Sequence, residues 1–381
     1  MPNYSLVLYP TGTKYLEIDT VLTSPTHRIL LNLIGGAGPT VPFQIITTSS
    51  NQYVSKEFML KGTVGKTVYI DWGDSSSVQT YNLTAGYALP GHTYATAGTH
   101  NVSITGDTNY ITGFQIMNVG YNIDMADLPP AASEIMLYSP GTITGASTDL
   151  TNYSTIASVQ ISSSLFQVSG SVNDFAGATY LVIGDPSHNS SISCDVSYSA
   201  LNSGLTYLSL RGLDWAYGDL ENYDSFSSMT GLEIVDCSAA IGFDGTINNL
   251  PPNLFYLNIQ GGSFFGGSIA NLPTGLVYLY LIDAGNFTGD IQYLTDSIYY
   301  LYLQGSIGTS MTGSLSNLPT SARTVAIEPN SYNSGISGTT NGGFPSFLSI
   351  MYLKNIQFSG DIAKPAFRHE RHKDRSYCWN L

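Results

Sequence analysis

Charged side chains make up only 10% of this 381-residue chain, where roughly a quarter is usual for soluble proteins. The basic sign is the scarcer: 13 Lys and Arg stand against 27 Asp and Glu, for a formal net charge of −14. That balance excludes non-specific nucleic-acid binding, which needs clustered cations to neutralise phosphates. Five of the basic residues (Lys364, Arg368, Arg371, Lys373, Arg375) fall in the last 19 positions, leaving residues 1–362 with 8 basic against 25 acidic groups. The three cysteines, Cys194, Cys237 and Cys378, are too few and too scattered for a disulfide framework. No run approaches 18 apolar residues, so no membrane-spanning helix is expected. Met1-Pro-Asn-Tyr-Ser lacks the basic and then apolar stretches of a secretory leader.

Catalytic signatures are also missing. There is no Gly-x-Ser-x-Gly, no phosphate-cradling loop ending in Lys-Ser/Thr, and no cysteine pair at zinc spacing. Asp219/Glu221 and Asp283/Asp290 are carboxylate pairs with nothing to place them across a cleft, as a glycosidase would need. His369-x-x-His372 with Cys378 comes nearest to a metal-ligand set, but it sits in the basic tail, residues 363–381, where no apolar pattern holds it and disorder is expected. The reading is therefore of a non-enzyme with no cofactor, no resident metal, no nucleic-acid partner and no membrane insertion.

What is abundant is repetition. An apolar-x-x-apolar-x-apolar phrase reads Leu254/Leu257/Ile259, Leu276/Leu279/Leu281 and Ile298/Leu301/Leu303 where it is cleanest. It recurs more loosely at Ile111/Phe114/Ile116, Ala132/Ile135/Leu137, Ile156/Val159/Ile161, Ala178/Leu181/Ile183 and Leu205/Leu208/Leu210, then at Leu232/Val235/Cys237, Ala322/Val325/Ile327 and Leu348/Met351/Leu353. A second phrase follows at a nearly fixed offset: Gly245-Thr-Ile247-x-x-Leu250-Pro, Gly267-Ser-Ile269-x-x-Leu272-Pro, Gly289-Asp-Ile291-x-x-Leu294 and Gly313-Ser-Leu315-x-x-Leu318-Pro. A period of roughly 22 residues predicts a solenoid. It leaves no room for a full return helix, so the return path must be extended or a 3₁₀ turn. Over residues 107–362 the two phrases together resemble short leucine-rich repeats. The asparagine that family uses between coils is replaced by small residues such as Ala240, Gly262, Ala284 and Ser306, so other groups must satisfy the backbone at that corner.

Residues 43–106 are patterned differently. Alternation in Phe43-Gln-Ile-Ile-Thr, Glu57-Phe-Met-Leu and Thr67-Val-Tyr-Ile-Asp-Trp predicts strands. With Trp72-Gly73-Asp74, His92-x-Tyr94, Ala97-Gly98-Thr99 and Val102-x-Ile104-x-Gly106, the segment resembles a PKD-type β-sandwich, although Ser75 stands where that family has glycine. Trp72 and Tyr94 are expected inside, with Asp71 and Asp74 capping turns. The fold expected is thus mainly β: a PKD/Ig-like β-sandwich followed by a leucine-rich-repeat solenoid of about 11 coils of roughly 22 residues with little helix. This order of modules is similar to BspA-like bacterial surface proteins and related phage-encoded chains, in which the sandwich is a spacer and a lid on the first coil. Residues 1–42 match neither module. Tyr4-x-Leu6-x-Leu8-Tyr9 and Ile29–Ile34 are candidate strands of an attachment region, joined on through a Gly35–Pro39 linker.

In a strand whose anchors point inward, the residues between them point out. Before the middle anchor stand Tyr180, Tyr207, Ile234, Tyr256, Tyr278, Tyr300 and Thr324; after it stand Val182, Ser209, Asp236, Asn258, Tyr280, Tyr302 and Ala326. Tyr256, Tyr278, Tyr280, Tyr300 and Tyr302, edged by Asp236, Asn258, Gln260 and Gln304, are therefore the candidate ligand-binding face. Tyrosine offers a rigid ring and a hydroxyl to glycans and protein loops alike. The expectation is a virion-surface or adhesion protein, a phage tail or head fibre or decoration component, that recognises a host-surface glycan or protein. Other virion proteins would contact its N-terminal segment, and a homo-oligomer is possible. A bacterial cell-surface adhesin and a self-assembling structural subunit are the alternatives.

Overall fold

The computed structural model describes residues 4–8, 14–18 and 40–380, apart from 51, 55–57, 139–140, 151–155, 164, 185–190, 196–200, 202, 214, 220–225, 236–242, 262–264, 284–285, 306–310, 330–334, 340–343, 360–367 and 372–375. The chain is mainly β, with helix confined to single 3₁₀ turns among the described residues, and it winds as a β-solenoid. One ladder of parallel strands begins at Ile111–Ile116 and passes through Glu134–Tyr138, Ser158–Ser162, Tyr180–Gly184 and Tyr207–Arg211. It continues through Gly231–Val235, Tyr256–Gln260, Tyr278–Ile282, Tyr300–Gly305, Thr324–Pro329 and Ile350–Lys354. Shorter strands of the return path, from Gly120–Asp124 to Gln357–Ser359, form a second parallel ladder. The expectation of an extended return path understated it, because the return segments pair with one another.

Burial follows the repeat. Leu254, Leu257, Ile259, Leu276, Leu279, Leu281, Ile298, Leu301 and Leu303 are all 0% exposed. The second phrase explains the return turn. Gly267, Gly289 and Gly313 take φ of 128°, 111° and 126°, a region closed to side chains. A Cβ on Gly313 would come within 2.4 Å of Asp290 Oδ1. The next residue then caps a 3₁₀ turn: Ser268, Asp290 and Ser314 accept from the backbone N–H of Ala270, Gln292 and Ser316.

The residues named as replacing the usual asparagine, Ala240, Gly262, Ala284 and Ser306, lie outside the described residues. The adjoining corner is nonetheless accounted for. Gly212, Gly261 and Asp283 adopt left-handed φ, and their N–H groups donate to the carbonyls of Val235, Ile282 and Gln304 on the next coil. At the opposite corner, a backbone chain from Val277 N to Phe255 O, Tyr299 N to Val277 O and Arg323 N to Tyr299 O runs from coil to coil. Neither corner needs an asparagine side chain.

The N-terminal β-module joins both ladders. Phe58–Gly62 pairs antiparallel with Ile111–Ile116, and Val41–Thr47 pairs antiparallel with Gly120–Asp124. Phe114 packs edge-on against Phe43 and Phe58, each at 5.7 Å, so one hydrophobic core runs through the junction. Inside the module Trp72 and Tyr94 are buried, Trp72 stacks on His92 at 4.8 Å, and the Tyr94 hydroxyl donates to the Trp72 carbonyl. Asp71 and Asp74 accept from the backbone N–H of Gly73 and Ser76, and Ser75 takes the left-handed φ of 66° in place of a glycine. Burial tends to raise the Asp74 carboxyl, but hydrogen bonds from Ser76 and His92 hold it down to about 2.

Upstream, Tyr4–Leu8 pairs with Lys14–Ile18, a strand the sequence reading did not place, while Ile29–Ile34 and the Gly35–Pro39 linker lie outside the described residues. Downstream, within the tail read from the sequence as disordered, Arg368–Arg371 and Ser376–Asn380 pair with each other, and Ser376–Asn380 pairs with Ile350–Lys354. Far-ultraviolet circular dichroism is expected to be β-dominated; a spectrum with more than about a fifth helix, against the usual third, would contradict this architecture.

Candidate functional site

Each strand of the first ladder points its anchors into the core and its alternate residues outward. Strict parallel register then stacks equivalent residues: Tyr256 is level with Tyr278 and Tyr300, and Tyr280 with Tyr302. The rings respond by stacking face to face. Tyr278 lies 4.9 Å from Tyr300 at 6°, and Tyr280 lies 4.8 Å from Tyr302 at 20°. Tyr256 leans on both columns, 6.2 Å from Tyr278 and 5.9 Å from Tyr280. Gln260 lies on the same face and donates to Asn258 Oδ1, while Gln304 donates to Glu328 on the following strand. The five candidate tyrosines, Asn258, Gln260 and Gln304 are thus brought together.

Asp236 lies outside the described residues. The sequence frame in its coil was set three residues late: Leu232 and Ile234 stand level with Leu257 and Ile259, and Met229, Leu232 and Ile234 are the buried anchors. Two overlapping phrases compete here, and the regular spacing selected the wrong one, since the true step to the next coil is 25 residues (259 − 234). Cys237 likewise lies outside the described residues. Ile234, expected to point outward, is in the core. The outward pair is Gly231 and Glu233.

Both matter. Glu233 is only 2% exposed, and a buried carboxylate must be paired and hydrogen-bonded. It accepts from Arg211 Nε at 3.0 Å and Nη2 at 2.8 Å, Ser209 Oγ at 2.7 Å, Asn258 Nδ2 at 2.8 Å and the Tyr256 hydroxyl at 3.0 Å. Burial favours the neutral acid, but the hydrogen bonds from Ser209 and Arg211 and the Arg211 charge hold Glu233 below the ordinary carboxylate value. In return, burial and then the Glu233 charge push the Tyr256 phenol up to about 12, so that ring keeps its proton and donates it. The carboxylate thereby fixes the side chains of three adjacent coils.

Gly231 makes room. A Cβ there would sit 2.3 Å from Tyr207 Cδ2, because the Tyr207 ring folds across this coil to reach Tyr256 at 6.4 Å. Tyr180 stacks on Tyr207 at 4.9 Å and 11°. The tyrosine column therefore runs Tyr180, Tyr207, Tyr256, Tyr278, Tyr300 without a break, two rings longer than the sequence patch in this row. Gly231→Val is expected to split the column: the Tyr207 near-ultraviolet dichroism should change and about 1–3 kcal/mol of stability be lost to overpacking. A variant with parental melting and spectrum would show that the ring does not rest there.

Among the described residues no group of three or more His, Cys, Asp or Glu could hold a metal ion. His372 lies outside them, and Cys378 stands opposite Glu370 in the terminal pairing. No helix is long and apolar enough to cross a membrane among the described residues.

Neither a family model nor a curated protein matches the chain. Among solved structures, the plant peptide hormone receptor RGFR1 in complex with RGF2 is similar over 65% of this chain and 47% of that one, at 14% identity and a TM-score of 0.34. The chain thus spans about half the length of the receptor it matches.

Proposed function

We propose that this chain is a non-enzymatic recognition protein: a leucine-rich-repeat-like solenoid of eleven coils, sealed by a PKD-like module, whose tyrosine face binds a glycan or protein on a host surface. The observation that carries the reading is the unbroken five-ring column with a second column beside it. The stacked pairs hold one another in place and present ring edges and hydroxyls, a rigid polar-aromatic surface that costs little entropy to engage. The low charge and the Gly, Ser, Thr and Tyr content favour a virion-surface setting, with a bacterial surface adhesin of BspA-like type as the alternative.

The test is a glycan and host-surface binding screen on the full chain and on Tyr280→Ala/Tyr302→Ala. The double variant removes no inward anchor, so its melting should shift little, as expected for cross-strand pairs worth at most about 1 kcal/mol each. Its binding should weaken by about 2 kcal/mol or more, as for aromatic hot spots. Unchanged binding would remove the face from consideration. Self-assembly is the second reading, favoured by the exposed Phe255, Phe347 and Ile350 beside this face; concentration-dependent oligomers dissolved by the double variant would select it.

A further inference from the structure

The tyrosine columns have a rim. One position ahead of the first outward residue in each strand stand Ser133, Ala157, Thr179, Thr206 and Thr230 in the earlier coils, then Phe255, Val277, Tyr299 and Arg323. The early residues are small, and Thr179, Thr206 and Thr230 turn their hydroxyls back onto the preceding coil's carbonyl. Two of the later ones are aromatic and meet the columns: Phe255 is edge-on to Tyr278 at 5.3 Å, and Tyr299 lies 5.5 Å from Tyr300.

Arg323 closes this rim. Its guanidinium carbon lies 4.5 Å over the Tyr299 ring and 6.0 Å from the centre of Phe347, itself 62% exposed. Stacking holds a guanidinium flat without using its N–H donors, and among the described residues no group accepts from them. Residues 107–362 hold three cations against 20 carboxylates, and the other two are engaged: Arg211 is bound by Glu233 and Lys354 has partners of its own. In the same coils Glu328 accepts from Gln304 and Asp296 from Thr320.

We infer that Arg323, held flat by Tyr299 and Phe347, is an anion subsite that takes a carboxylate of an acidic glycan lying along the tyrosine face. The inference rests on the recognition reading above and names its ligand class. A planar fork matches a carboxylate in a bidentate pair. The surrounding negative charge opposes an acidic polymer at long range, but screening over roughly 8 Å at physiological salt leaves the contact to decide.

The experiment uses the full chain and a set of acidic oligosaccharides, including oligogalacturonate and sialyllactose, each paired with its carboxyl-reduced twin. The expected result is that an acidic member binds at least about tenfold more tightly than its twin. Arg323→Gln should abolish that difference without changing the melting temperature or the twin's affinity, and Arg323→Lys should recover only part of it. Tyr280→Ala/Tyr302→Ala should weaken both members of a pair. Equal binding of acid and twin, or discrimination that survives Arg323→Gln, overturns the subsite; if the tyrosine variant still weakens both, the glycan reading stands without it. No binding by any member overturns both.

Discussion

Removal of residues 1–106 is expected to make the remaining chain aggregate. The two strands lost with the module, Val41–Thr47 and Phe58–Gly62, are the outermost partners of both solenoid ladders on that side. Their loss uncovers Ile111, Phe114 and Ile116, all 0% exposed in the intact chain, together with two unpaired sheet edges. Exposed edges template pairing with another chain, and a solenoid end without a cap is insoluble for the same reason. Size-exclusion chromatography with light scattering is the measurement. A shortened chain that stays monomeric and melts like the parent would show that the first coil seals itself.

The second large effect is centred on Glu233. Arg211→Leu removes the bidentate cation from a carboxylate that is 2% exposed and leaves it held by Ser209, Tyr256 and Asn258 alone. Breaking a fully buried pair costs about 3–5 kcal/mol; because Arg211 is itself half exposed and three donors remain, about 2 kcal/mol is expected. The double variant Arg211→Leu/Glu233→Leu should be more stable than the single one, since no unpaired charge is left behind. Chemical denaturation of the four proteins of the cycle measures it; a double variant less stable than Arg211→Leu would contradict the buried-charge account. The pH dependence follows in sign. Glu233 has a folded value below its unfolded one, so its contribution is complete above about pH 4.5 and is lost as pH falls through the lower folded value. Asp74, held at about 2, acts in the same direction, and acid below about pH 4 should therefore loosen both modules.

Much of this was legible in the residues alone. A hydrophobic phrase recurring every 22 residues or so, with no length to spare for a helix, permits only stacked extended coils, because each coil alone cannot bury its apolar face. Alternation between Leu279 and Leu281 and between Leu301 and Leu303 by itself turns Tyr280 and Tyr302 outward. Position-specific turn chemistry, such as Gly289-Asp290 ahead of Ile291, was visible too, as only glycine tolerates that backbone and only a short polar side chain caps the turn that follows.

What the sequence could not decide was register where two phrases overlap. Residues 229–237 satisfy the pattern in two frames, and only pairing with Tyr256–Gln260 on one side and Tyr207–Arg211 on the other selects Met229/Leu232/Ile234. That choice brought in Glu233, whose partners come from the strands on either side of its own. The significance of Gly231 is of the same kind, since a missing side chain has no signal of its own until a ring from the preceding coil is found lying over it. The pairing of Ser376–Asn380 with Ile350–Lys354 has no sequence signal either, being a contact made by backbone groups that every residue carries. Sequence patterns fix what repeats, through the geometry of one chain segment; the exceptions to the repeat, where charge is buried and rings cross between coils, are fixed by neighbours distant in sequence.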